Sequence, residues 1–172
     1  TYSHDGKTVV DSGEFGKTLT IKPNTTFTKV GYHYTEWTDG ETEYACGSEY
    51  TISNKDVTLE PVWVANTYTV KYTGGVSNLG VGAEGTAPEA QTATYDEAFT
   101  LRANTFTLAG YTFAGWKLEE VYGNASNNGA VEVTNLAESG EVTLVAQWTA
   151  NTNTAYTVKH YVETIDGSAY EV

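Results

Sequence analysis

The chain has 172 residues and a formal net charge of −13, from 9 Lys and Arg against 22 Asp and Glu. A nucleic-acid binder needs a clustered basic stripe, whereas here the basic residues are scattered singly, and an anionic membrane surface would repel the chain. A single Cys, Cys46, excludes an internal disulfide.

No Met is present, which reads as a fragment or a processed form. The lack of a signal peptide or a long apolar run therefore says nothing of where a parent protein resides. With 13 Tyr and 4 Trp, few side chains suffice to build small cores, because each large aromatic buries roughly 150–250 Å².

In chain order, Asp5-Gly6 is a hairpin turn signal, since both residues tolerate positive φ. Val9–Phe15 reads as a weak strand, and Thr18–Ile21 alternates as a strand. Tyr32–Trp37 is the next strand, Asp39-Gly40 a turn, Tyr50–Ile52 a short β segment and Val57–Val64 a clear strand. Pro61 lacks a donor N–H, which places that strand at an edge or at a bulge. Tyr68–Tyr72 opens a second series after a short join at Ala65–Thr67. Gly74–Pro88 is a Gly-rich loop. Thr92–Tyr95 and Phe99–Leu101 are strands with a turn at Asp96–Ala98. Tyr111–Trp116, Val131–Val133 and Val142–Trp148 follow, with a polar loop at Gly123–Gly129. Thr149–Thr154 is a second polar linker. Tyr156–Tyr161 begins a third series that Asp166-Gly167 turns.

The series are copies. Gly31-Tyr32-His33-Tyr34-Thr35-Glu36-Trp37 answers Gly110-Tyr111-Thr112-Phe113-Ala114-Gly115-Trp116. Val57-Thr58-Leu59 with Trp63 answers Val142-Thr143-Leu144 with Trp148, and Tyr68-Thr69-Val70-Lys71 answers Tyr156-Thr157-Val158-Lys159. All four Trp fall at equivalent places, so the chain is read as a repeat: unit one over residues 1–66, unit two over 67–151 and the start of a third over 152–172. Residue 1 falls late in the first strand of its own unit, which makes unit one short at its N-terminal side. Thr, Val, Tyr and Trp suit pleated surfaces, and no window sustains a 3.6-residue apolar period. The fold class is mainly β, with room for one short helix per unit, at Pro23–Lys29 and Ala103–Leu108, as an α+β variant. On a regular strand Trp116 would face away from Tyr111 and Phe113, so Gly115 is read as a bulge that returns Trp116 to the core.

Phe99-Thr100-Leu101, Gly110–Trp116, Leu144–Trp148 and the opening Tyr68–Gly75 together resemble the Listeria–Bacteroides repeat, the internalin B-repeat family of bacterial surface proteins. Unit one departs from that pattern at Glu36 and Pro61. The resemblance implies small β-grasp-like modules in tandem, on the exterior of mainly Gram-positive bacteria, with no catalytic residues to carry over. Residues 156–167 also resemble the start of mucin-binding-type repeats.

Other motifs weigh less. Gly80-Val81-Gly82-Ala83-Glu84-Gly85 matches a dinucleotide fingerprint in letters, but Pro88 and a strand follow where a helix is needed. His4, His33 and His160 lack metal-ligand spacing. Cys46 reads as a buried small hydrophobe or an idle thiol. Asp39, Glu41, Glu43 and Glu49 form an acidic edge without the order of a Ca²⁺ loop. Asn24-Thr25-Thr26 and Asn124-Ala125-Ser126 are sequons. No catalytic, cofactor-binding or metal-ligating residue is assigned, and no cofactor. The expected role is a non-enzymatic, extracellular repeat region at the cell surface or cell wall, as stalk, spacer or adhesion segment, with neighbouring repeats as its partners. The alternative is a glycan- or host-protein-binding module, for which a solvent-facing row of Tyr32, Tyr34 and Tyr44 would speak.

Overall fold

The computed structural model describes residues 1–77, 79–118, 131–153 and 155–159, and the backbone of 121–122, 162–163 and 170–171. Unit one contains β1 (Tyr2–His4), β2 (Lys7–Val9), β3 (Thr18–Thr20), β4 (Tyr32–Thr38), β5 (Glu43–Tyr44), β6 (Glu49–Thr51) and β7 (Glu60–Ala65). Unit two contains β8 (Thr67–Thr73), β9 (Gln91–Thr94), β10 (Phe99–Thr100), β11 (Tyr111–Lys117), β12 (Val121–Tyr122), β13 (Glu132–Val133) and β14 (Gly140–Ala150). A last antiparallel pair joins β15 (Val162–Glu163) to β16 (Tyr170–Glu171). The chain is all-β, and the described residues hold no helix.

The two stretches with room for a helix are held extended by one device. Asn24 Oδ1 accepts from the backbone N–H of Thr26 and Phe27, and its amide donates to the Phe27 carbonyl. Asn104 does the same around Phe106. An Asn side chain that satisfies nearby backbone groups offers them an alternative to helical bonds. The Asn24 amide, the acceptor atom of a sequon, is thereby engaged. The second sequon and the Gly123–Gly129 loop lie outside the described residues, as does His160.

Unit two is built on a sheet in the order β12-β11-β14-β8-β9, in which β14 and β8 are parallel and the other pairs antiparallel. Unit one repeats part of it as β5-β4-β7. The register slips between Phe113 and Gly115 and, at the matching place, between Tyr34 and Glu36. These are the expected bulges, and they turn Trp116 and Trp37 inward, each 1% exposed. Gly115 sits at φ +138°, where a side chain is resisted, whereas Glu36 does not take positive φ. The two bulges thus reach one result by different backbone geometry. Pro61 lies on β7, the edge strand of its sheet, where its missing N–H costs no ladder bond. The Asp5-Gly6 hairpin also forms, with φ of +47° and +74°. Val10–Phe15 forms no strand; β2 ends at Val9.

Each unit has its own core. Trp116 packs with Tyr72, Phe106 and Phe113, and Trp37 with Tyr2, Phe27 and Tyr34. The indole N–H groups are anchored alike, Trp116 to the Arg102 carbonyl at 2.9 Å and Trp37 to the Lys22 carbonyl at 2.8 Å. Trp148 and Trp63 are half-buried at the core rims rather than mostly buried. Trp148 Nε1 donates to Gly74 O at 2.7 Å, but Trp63 Nε1 and Tyr34 Oη are buried without a partner among the described residues.

That flaw in unit one gives a prediction. Burial, with Cys46, Glu36 and Tyr2 nearby, pushes the Tyr34 hydroxyl from 10.0 up to about 12. Folding therefore favours the protonated phenol, a contribution whole below pH 10 and lost as pH rises toward 12. Unit two carries Phe113 at this place. Tyr34→Phe is expected to raise unit-one stability by about 1 kcal/mol, because an unpaired buried hydroxyl is costly. It should also flatten the alkaline loss of stability in that pH window. Denaturant melts at pH 7 and pH 11 check both.

Candidate functional site

The described side chains converge most closely where the units meet, and the centre of that joint is Asn66. It lies between β7 and β8, and it divides its four polar groups between the units. Toward unit one, its backbone N–H donates to Gly31 O at 2.8 Å, and its Oδ1 lies 2.7 Å from His33 Nδ1. Toward unit two, its carbonyl accepts from Tyr95 N–H at 2.9 Å, and its Nδ2 donates to Glu138 O at 2.9 Å. Only an amide side chain can accept on one side and donate on the other in this way.

A second contact flanks it. The Tyr32 hydroxyl donates to Asp96 Oδ2 at 2.8 Å, and Asn135 Nδ2 donates to Asp96 Oδ1 at 2.7 Å. The Asn135 amide first, and the Tyr32 hydroxyl second, hold the Asp96 carboxyl below its ordinary range; Lys29 adds a smaller pull. The same bond pushes the Tyr32 phenol up. Lys29 Nζ lies 3.5 Å from the Tyr32 ring centroid, and the Tyr32 and Tyr95 rings meet edge to face at 5.9 Å. Gly31 is required here: at φ +74°, a Cβ on it would run into the Tyr95 ring.

The geometry recurs at the far end of unit two. Asn151 N–H donates to Gly110 O at 2.8 Å, and Thr112 Oγ1 donates to Asn151 Oδ1 at 2.6 Å. Gly110 takes φ +80° where Gly31 takes +74°. Asn151 therefore makes toward unit two the same two bonds that Asn66 makes toward unit one.

The other motifs find local explanations. Gly80–Gly85 lies in a loop tied by bridges Val76↔Gly82 and Glu84↔Thr107, not between a strand and a helix. Cys46 is exposed rather than a buried small hydrophobe. His33 is exposed and serves the joint, and the His4 ring packs on Trp63 at 5.3 Å. Asp39 accepts from the backbone N–H groups of Thr42 and Glu41 and from the Tyr44 hydroxyl, which lower its pKa in that order. Among the described residues no three His, Cys, Asp or Glu gather as a metal site, and no helix is long and apolar enough to cross a membrane.

Tyr32, Tyr34 and Tyr44 are all partly buried and form no solvent-facing row. Tyr32 is committed to the joint, Tyr34 to Trp37, and Tyr44 to Tyr50 and Asp39.

The family profile of the Listeria–Bacteroides repeat domain matches residues 1–60 and again 68–147, the two units on either side of Asn66. The chain belongs to the Listeria–Bacteroides repeat family. No curated protein and no solved structure matches the chain. Repeats of this family are typical of extracellular bacterial surface proteins. Both matched segments of this Listeria–Bacteroides repeat protein carry the buried Trp on its bulge, and the stretch between them carries the joint.

Proposed function

We propose that this pair of repeats is a non-enzymatic stalk or spacer segment of a bacterial surface protein, on the outside of the cell. The observation that carries this reading is the division of the Asn66 bonds, two to each unit. Two small domains on a bare linker would move independently by default. Here the backbone and side chain of one residue, with Tyr32–Asp96–Asn135 beside it, fix the direction in which unit two leaves unit one. The same half-joint at Gly110, Thr112 and Asn151 suits an array that continues in the same sense. The net charge of −13 keeps neighbouring molecules apart. The core and joint roles of Tyr32, Tyr34 and Tyr44 favour this reading over ligand capture by exposed aromatics.

Cys46, exposed in unit one, offers a single labelling site, and Thr143→Cys on the exposed face of β14 provides one in unit two. Electron–electron distance measurements between spin labels at these sites are expected to give one narrow distribution. A broad distribution in the parent protein would refute the spacer reading.

A further inference from the structure

The two units differ in one place that bears on assembly. In unit two, Tyr68 and Val70 of β8 are 2% and 0% exposed. They sit between β14, paired in parallel at Gly140 and Val142, and β9, paired antiparallel at Ala93 and Gln91. Tyr72 follows, with its ring 4.8 Å from Trp116 and its hydroxyl accepting from Arg102 N–H.

Tyr2 holds the place of Tyr72 in unit one. Its ring lies 4.7 Å from Trp37, its hydroxyl accepts from Lys22 N–H, and it bridges Leu59 in parallel as Tyr72 pairs with Leu144. Thr1 thus stands where Lys71 stands, and the places of Tyr68 and Val70 fall ahead of it. At those places the structure has a cleft of about 520 Å³, walled by Leu19, Ile21, Tyr50, Ile52, Val57 and Leu59. Asp11–Glu14, which correspond to β9, form no strand. Both walls that a strand would pair with are present, and the slot is one strand wide.

The chain also carries a strand of that pattern outside any sheet. Tyr156-Thr157-Val158-Lys159 repeats Tyr68-Thr69-Val70-Lys71 residue for residue. Tyr156 is 85% and Val158 is 59% exposed, and 155–159 form no strand. Phe15, 75% exposed at the place where Tyr95 covers Gly31, adds an apolar contact at the same end of unit one.

We infer that unit one is a strand-accepting site, and that its occupant is Tyr156–Val158 of a second copy of this chain. The donor runs parallel to Val57–Leu59, with Tyr156 in the place of Tyr68 and Val158 in the place of Val70, and ends where Thr1 begins. Strand addition to an open edge supplies backbone bonds for affinity and pockets for alternate side chains. Donor and acceptor lie on different surfaces, so the contact is heterologous and extends into a chain of molecules rather than closing as a dimer.

Sedimentation across a concentration series up to about 1 mM, the range of weak small-area contacts, tests this. The mean mass of the 172-residue chain is expected to rise from that of one chain past that of two. The exposed-site variant Tyr156→Asp/Val158→Asp should remain at one chain. A chain extended by Tyr-Thr-Val directly ahead of Thr1 should fill its own slot, melt higher in unit one and lose self-association. Mixing the extended chain with the double variant should give pairs and nothing larger, because one working donor and one working acceptor remain. A parent chain that stays at one chain mass throughout, or an extended chain that associates as the parent does, would overturn the inference.

Discussion

Trp116→Ala is expected to unfold unit two while unit one stays folded. The side chain is 1% exposed and packs on Tyr72, Phe106 and Phe113, and its indole N–H is spent on the Arg102 carbonyl. Truncation opens a cavity the size of an indole and orphans that carbonyl. Aromatic-to-Ala changes in cores cost about 3–5 kcal/mol, comparable to the whole stability of a module this small. The separate cores predict that the loss is not shared: the Tyr2, Trp37 and Leu59 cluster contains no residue of unit two. Circular dichroism melts should lose one transition and keep the other. A Trp116→Ala chain that melts like the parent would remove the bulge-and-Trp motif from its central place in the fold.

Asn66→Ala is expected to uncouple the units with both cores intact. The substitution deletes the contacts to His33 and Glu138 and leaves the backbone bonds to Gly31 and Tyr95 without side-chain support. Each lost hydrogen bond is worth about 0.5–1.5 kcal/mol net, so the coupling should fall by roughly 1–3 kcal/mol. Unfolding transitions of the two units should move apart, and proteolysis should begin within 65–67. Acid should act in the same direction. Asp96 is held below the ordinary carboxylate value, so its contribution is present above that value and lost as pH falls through the depressed one. A distance distribution that is as narrow in Asn66→Ala as in the parent would show that the joint is held by something else.

Much of the fold could be read from the residues because its signals are local. The Gly-aromatic-x-aromatic-x-x-Trp spacing announced a strand whose Trp faced the wrong way, and a bulge was the economical way to turn it; both copies contain one. Pro61 announced an edge for the same kind of reason: a missing N–H. The absence of helix at Pro23–Lys29 was harder to read, since it rests on which backbone groups Asn24 chooses. The joint was not legible at all. Asn66 read as part of a polar linker, and nothing in its spacing connects it to Glu138 or joins Tyr32 to Asp96, 64 residues away. One signal could have found it: Gly31 and Gly110 both precede an aromatic, and Asn66 and Asn151 both follow the last strand of a unit, so the joint's parts recur with the repeat.

The account stands most directly on the claim that the two units tumble as one body. Backbone residual dipolar couplings, collected for both units in one weakly aligned sample, measure this. The account predicts that a single alignment tensor fits the couplings of residues 1–66 and 67–151 together, and that Asn66→Ala splits it into two. Two different tensors in the parent chain would contradict it.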